Sequence, residues 1–110
     1  MATSDPAGRR RSIELSIQAL IKDFVFSPNE AATWASAAGA ISAYLTGLWE
    51  QGGLTGATAS DAFTVACGLG STMTAQDILD GNMIVQVKLQ IDRPGEYTEL
   101  TLTQAMSAGG

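Results

Sequence analysis

Three successive runs decide the fold: Trp49-Glu50-Gln51-Gly52-Gly53-Leu54-Thr55-Gly56-Ala57-Thr58, Asp61-Ala62-Phe63-Thr64-Val65-Ala66-Cys67 and Thr72-Met73-Thr74-Ala75-Gln76-Asp77-Ile78. They read as a helix end, a glycine-rich turn, a strand, a turn and a short helix. Phe63, Val65 and Cys67 alternate with Thr64 and Ala66, which predicts a strand over 62–67 with the Cys67 thiol on its apolar side. Thr74 followed by Asp77 is a helix-capping pattern, and Gly81 closes a short helix predicted at 75–80. Gly68-Leu69-Gly70-Ser71 is the intervening turn. No reactive cluster interrupts this careful specification of turns, which suits a protein built to assemble better than one built to catalyse.

Downstream, Met83-Ile84-Val85-Gln86-Val87-Lys88-Leu89-Gln90-Ile91 is the strongest strand pattern in the chain. Val85, Val87, Leu89 and Ile91 share one face, with Gln86, Lys88 and Gln90 opposite. Arg93-Pro94-Gly95 breaks it, and Tyr97 to Thr103 alternates again. Leu100 and Leu102 take one face of this last strand; Tyr97, Glu99, Thr101 and Thr103 take the other. Upstream, Ile13, Ile17, Leu20, Ile21 and Phe24 recur at helical spacing, predicting a helix at 10–23. The apolar run Phe24-Val25-Phe26 suits a short extended segment. Ser27-Pro28-Asn29-Glu30 has the form of a helix start, with Ser27 as cap, Pro28 at the first helical position and Glu30 closing a capping box. The helix it opens is predicted over 28–51, with Trp34, Ala38, Ile41, Leu45 and Leu48 as its main stripe and Tyr44 and Trp49 widening it. Gly52-Gly53 ends it.

The expected architecture is therefore α+β, with two main helices and one short helix packed on a small antiparallel or mixed β-sheet. Residues 1–8 are expected to be a disordered arm, 9–104 the folded domain and 105–110 a flexible tail. At 110 residues only one domain fits. Hydrophobic residues make up 45% of the chain, but many are alanine and only three Phe, two Trp and two Tyr supply bulk. A core this thin gains from burial against neighbours.

Net charge is −5, and Arg9, Arg10 and Arg11 hold half of the six positive charges. From Ser12 onward, Lys22, Lys88 and Arg93 face ten acids, a balance of −7. Such a body lacks the clustered cations that phosphate contacts need, which argues against a nucleic-acid partner. The acids either dock on a basic surface of a neighbour or keep the chain in solution. One cysteine and no histidine remove a disulfide framework and the common zinc and acid–base constellations, so no cofactor and no metal site is expected. Residues 1–8 lack the apolar core of a signal peptide. The uncharged run Ala31 to Trp49 is 19 residues long. It is rich in Ala, Gly, Ser and Thr, with its strongly apolar residues on one side, so it reads as a buried central helix and not as a membrane insertion. For catalysis the candidates are the Asp77/Asp80 pair and the Gly68–Ser71 loop. Asp77 is better explained by helix capping and Asp80 by solvation, while no phosphate-loop lysine follows the glycines. An enzyme is not expected.

From about Arg9 to Gln104 the chain resembles the C-terminal domain of contractile tail sheath proteins, found in phage tails and related injection machines. The resemblance rests on Arg10-Arg11 opening a helix, Phe26-x-Pro28-Asn29 with Trp34 after it, and Leu45-Thr46-Gly47-Leu48-Trp49. It continues through Gly53-Leu54-x-Gly56-x-Thr58, Ala62-Phe63-x-Val65-x-Cys67, Thr72-Met73-Thr74 with Asp77-Ile78 and Gly81, and the Pro94-x-Glu96 turn. Sheath proteins are several hundred residues long, and this domain is only their end. The last strand is more polar here, with Thr98, Thr101 and Thr103. The resemblance implies a tube-facing structural subunit that links to its neighbours by exchanging terminal strands. The implied partners are further copies of itself or a full-length sheath subunit, and the tail tube protein. The implied place is a virion tail or injection particle assembled in the bacterial cytoplasm. Tyr97, Glu99, Leu100, Thr101, Leu102 and Thr103 are then the candidate subunit interface, since a strand after a Pro-Gly hinge can pair with its own sheet or with a neighbour's. A small non-polymerising adaptor or cap of the sheath type is the alternative.

Overall fold

The computed structural model describes residues 6–93 and 95–107. Its elements are α1 (Pro6–Lys22), α2 (Ala31–Glu50), α3 (Ala59–Ala62), β1 (Phe63–Ala66), α4 (Ala75–Leu79), β2 (Asn82–Leu89) and β3 (Thr98–Ala105). The three strands form one antiparallel sheet in the order β1-β2-β3.

The alternation of β2 fixes the layers. Met83, Val85, Val87, Leu89 and, just beyond the strand, Ile91 are buried and join one cluster with Ile13, Ile17 and Ile21 of α1 and Trp34, Ala37, Ile41 and Leu45 of α2. Leu100 and Leu102 of β3 and Phe63 of β1 complete it. Full burial of each Val, Leu, Ile, Phe or Met side chain among these is worth about 1.5–3 kcal/mol relative to exposure. Helices α1 and α2 therefore cover one face of the sheet, and the face bearing Gln86 and Lys88 is the opposite one.

Several boundaries differ from the sequence reading, each for a local reason. Helix α1 begins at Pro6, not at residue 10, with the proline at the first helical position where its missing N–H leaves nothing unpaired. Residues 6–8 of the expected disordered arm are thus helical; residues 1–5 lie outside the described part. The run 24–26 forms turns and not an extended segment, the Phe24 and Val25 amides bonding three residues back to Ile21 and Lys22. Helix α2 starts at Ala31, so Pro28 is not its first residue, and Glu30 caps it without a side-chain bond. Asn29 explains this: its Nδ2 donates to the Asn82 carbonyl (2.9 Å) and its Oδ1 accepts from Trp34 Nε1 (2.6 Å). Those bonds hold the segment outside the helix. Ala37, not Ala38, carries the buried stripe of α2 between Trp34 and Ile41.

The far end of α2 closes as expected, with the Gly52 amide donating to Trp49 and the Gly53 amide to Leu48. A four-residue helix, α3, was not expected; Thr58 caps it by accepting from the Asp61 amide. At helix α4 the predicted capping pattern takes the form of a full capping box, with Thr74 and Asp77 bonding reciprocally. The expected flexible tail from 105 is not free over 105–107. Ala105 belongs to β3, Met106 is buried and donates to Gly81, and Ser107 donates to Val25, both at 2.7 Å.

Candidate subunit interface

Strand β3 pairs along all eight of its residues with β2 of the same chain, from Leu89↔Thr98 to Asn82↔Ala105. The candidate residues therefore divide. Leu100 and Leu102, opposite Val87 and Val85, are in the core and are presented to no partner while β3 stays home. Glu99, Thr101 and Thr103 lie on the exposed face, with Glu99 directly across from Lys88. Tyr97 is half-exposed and donates its hydroxyl to the Asp61 carbonyl at 3.1 Å.

The other side of β3 has no strand beside it among the described residues. A groove of about 310 Å³ runs there between helix and sheet, with Leu15, Gln18, Ala19 and Lys22 of α1 facing Thr103 and Gln104. An unpaired edge next to a groove of mixed polar and apolar lining offers a strand from another chain main-chain partners and room for side chains.

The loop leading into β3 is tied down by a residue that the sequence reading placed on the solvent side. Gln90 follows β2 and is only 5% exposed. Its Nε2 donates to the carbonyls of Thr55 (2.9 Å) and Asp61 (2.8 Å), and its Oε1 accepts from the Gly95 amide. One amide side chain thus satisfies three loops. Strand alternation predicted Gln90 outward, and no sequence signal marks the chain turning inward after Leu89. Nearby, Trp49 Nε1 donates to the Gly56 carbonyl at 2.9 Å. Gly56 has φ +155, and a Cβ there would sit 2.9 Å from the Ala62 nitrogen, so only glycine fits. Arg9 pairs with Asp92 at 3.5 Å and Arg93 with Glu96 at 3.8 Å, closing the same region from outside.

The other sequence candidates are structurally engaged. Asp77 is in the α4 capping box, and Asp80 accepts from Gln76 Nε2 at 2.9 Å. Cys67 is half-buried, and burial pushes its thiol up to about 11, away from nucleophilic chemistry. Among the described residues no group of three or more His, Cys, Asp and Glu could hold a metal, and no helix is long and apolar enough to cross a membrane.

The described residues form a two-layer α+β unit in which no further strand lies beside β3. No protein-family model and no curated protein matches the sequence. Among solved structures, the chain is similar to a chain of the anti-feeding prophage baseplate with sixfold symmetry, at 41% identity and TM-score 0.71, over 86% of this chain and 26% of that one. It is similar to a chain of the PVC sheath complex, an extracellular contractile injection system in its contracted state, at 44% identity and TM-score 0.70, over 84% and 26%. A chain of the anti-feeding prophage baseplate in its contracted state matches at 34% identity and TM-score 0.71, over 84% and 24%. The chain thus spans about a quarter of the length of these sheath and baseplate chains.

Proposed function

We propose that this chain is a structural subunit of a contractile tail or injection apparatus, corresponding to the tube-facing C-terminal domain of the sheath. It joins neighbouring subunits through strand pairing at β3, with other copies of itself or a full-length sheath subunit as partners and the tube protein inside. Residues 9–104 are the sheath-type domain, and the assembled place is a tail or injection particle built in the bacterial cytoplasm. The observation that carries this reading is the free edge of β3 beside the α1 groove, supported by the likeness to sheath and baseplate chains. Exchange of β3 itself is the second route. Its core contacts through Leu100 and Leu102 would be kept in trans, so only bonds within loop 90–97, such as that from the Gly95 amide to Gln90, distinguish the closed from the exchanged form. The complete pairing of β3 within one chain favours the adaptor alternative, in which the edge takes a partner's strand without polymerising.

Ala19→Trp tests the edge. Ala19 is exposed on α1, so the indole fills the groove without entering the core. The expected result is loss of rings, tubes or sheath co-assembly by negative-stain microscopy, with the thermal transition unchanged. Assembly equal to that of the unaltered chain contradicts the edge reading. Unaltered chains that bind a sheath subunit singly and never polymerise favour the adaptor.

A further inference from the structure

The two ends of the molecule differ in surface chemistry. At the α4 end the α1–α2 loop, α4 and the last described residues converge. Ser107 donates to Val25, Met106 to Gly81 and Asn29 to Asn82, and a Cβ at Gly68 would sit 3.9 Å from the Trp34 ring. This end exposes Phe26 (79%), Leu79 (80%) and Leu69 (59%), three of the five large apolar side chains exposed among the described residues. Among the described residues its charges are Asp23, Glu30, Asp77 and Asp80 against Lys22 alone.

At the α3 end, Arg9 meets Asp92, and Gln90 ties the loops of Thr55, Asp61 and Gly95 together. Four of the chain's six cations lie here: Arg9, Arg10, Arg11 and Arg93. Glu50, Asp61, Asp92 and Glu96 balance them. Arg9 and Arg93 are held in ion pairs, whereas Arg10 and Arg11 are exposed and make no ion pair among the described residues.

An apolar surface ringed by uncompensated carboxylates repels a second copy of itself, so a two-fold contact between α4 ends is disfavoured. It suits guanidinium groups, which pair with carboxylates through the fork and stack on an aromatic face while their aliphatic stems lie on leucine. We propose that copies of this chain meet head to tail, the α4 end of one receiving Arg10 and Arg11 of the next. Such a contact is heterologous: repeated, it closes into a ring or runs on as a stack. It needs neither the β3 edge nor exchange of a strand, and so stands apart from the function proposed above.

Sedimentation velocity over a concentration series tests it, at about 20 mM and about 500 mM salt, where screening lengths differ several-fold. The full chain is compared with Arg10→Glu/Arg11→Glu, Asp23→Lys/Asp80→Lys and Phe26→Ser/Leu79→Ser, all at exposed positions. The expected result is association at low salt that high salt abolishes. Each variant alone weakens it at least about tenfold. Mixing the Arg→Glu variant with the Asp→Lys variant restores it, because the reversed ends match each other. Three results overturn the proposal: a monomer at every concentration in low salt, association undiminished in Arg10→Glu/Arg11→Glu, or a mixture no better than its components. Association lost in Ala19→Trp but kept in Arg10→Glu/Arg11→Glu also overturns it and leaves the edge reading standing. The opposite pattern supports head-to-tail contact and removes the edge.

Discussion

Helices α2 and α4 both follow a hydroxyl residue with an acid three positions on, Ser27…Glu30 and Thr74…Asp77, yet their starts are held in different ways. At α4 the hold is local: the Thr74 hydroxyl accepts from the Asp77 amide at 3.2 Å, and the Asp77 carboxylate accepts from the Thr74 amide at 2.8 Å. At α2 neither Ser27 nor Glu30 caps by its side chain, and the segment is anchored through Asn29 to Trp34 and to Asn82 at the start of β2. A capping box satisfies orphan amides within one turn, whereas the Asn29 bonds couple a helix start to the sheet. Where a tertiary partner supplies two part-buried bonds, it overrides the local pattern.

This contrast can be broken by mutation. Asn29→Ala has the largest expected effect, because it strips the partners from the Trp34 indole N–H and the Asn82 carbonyl. A loss of about 2–3 kcal/mol in global stability by urea unfolding is expected. A loss as small as that of an ordinary surface change would mean the anchor is not tertiary. Thr74→Ala comes next, at about 1 kcal/mol, the usual cost of an N-cap hydroxyl. Hydrogen exchange should show that effect confined to α4 and the amides beside it. Glu30→Ala is the smallest, within about 0.5 kcal/mol, as for a surface residue without a structural bond. A larger loss would show that Glu30 closes a capping box in solution after all.

The same contrast explains what could be read from residues alone. The alternation of β2, the Leu100/Leu102 face of β3 and the 74–77 capping box are properties of short windows, and all are present in the fold. Helix α3 is too short for periodicity, but Thr58-x-x-Asp61 repeats the spacing of the α4 cap and could have located it. The start of α2, the inward turn of Gln90 and the bonding of 105–107 depend on groups far away in sequence, at Asn82, Asp61, Gly81 and Val25. No local window contains those partners. Of the six candidate interface residues, the strand itself was legible, but its unpaired edge and the α1 groove beside it depend on how α1 packs against the sheet.

On the function proposed, the free edge of β3 is where another chain pairs. Amide hydrogen exchange of β3 (98–105), compared between dilute monomer and assembled particles, tests it most directly. The β3 amides without a partner in the single chain are expected to become protected on assembly, while amides in the middle of α2 do not change. Unchanged exchange along β3 in assembled particles would contradict it.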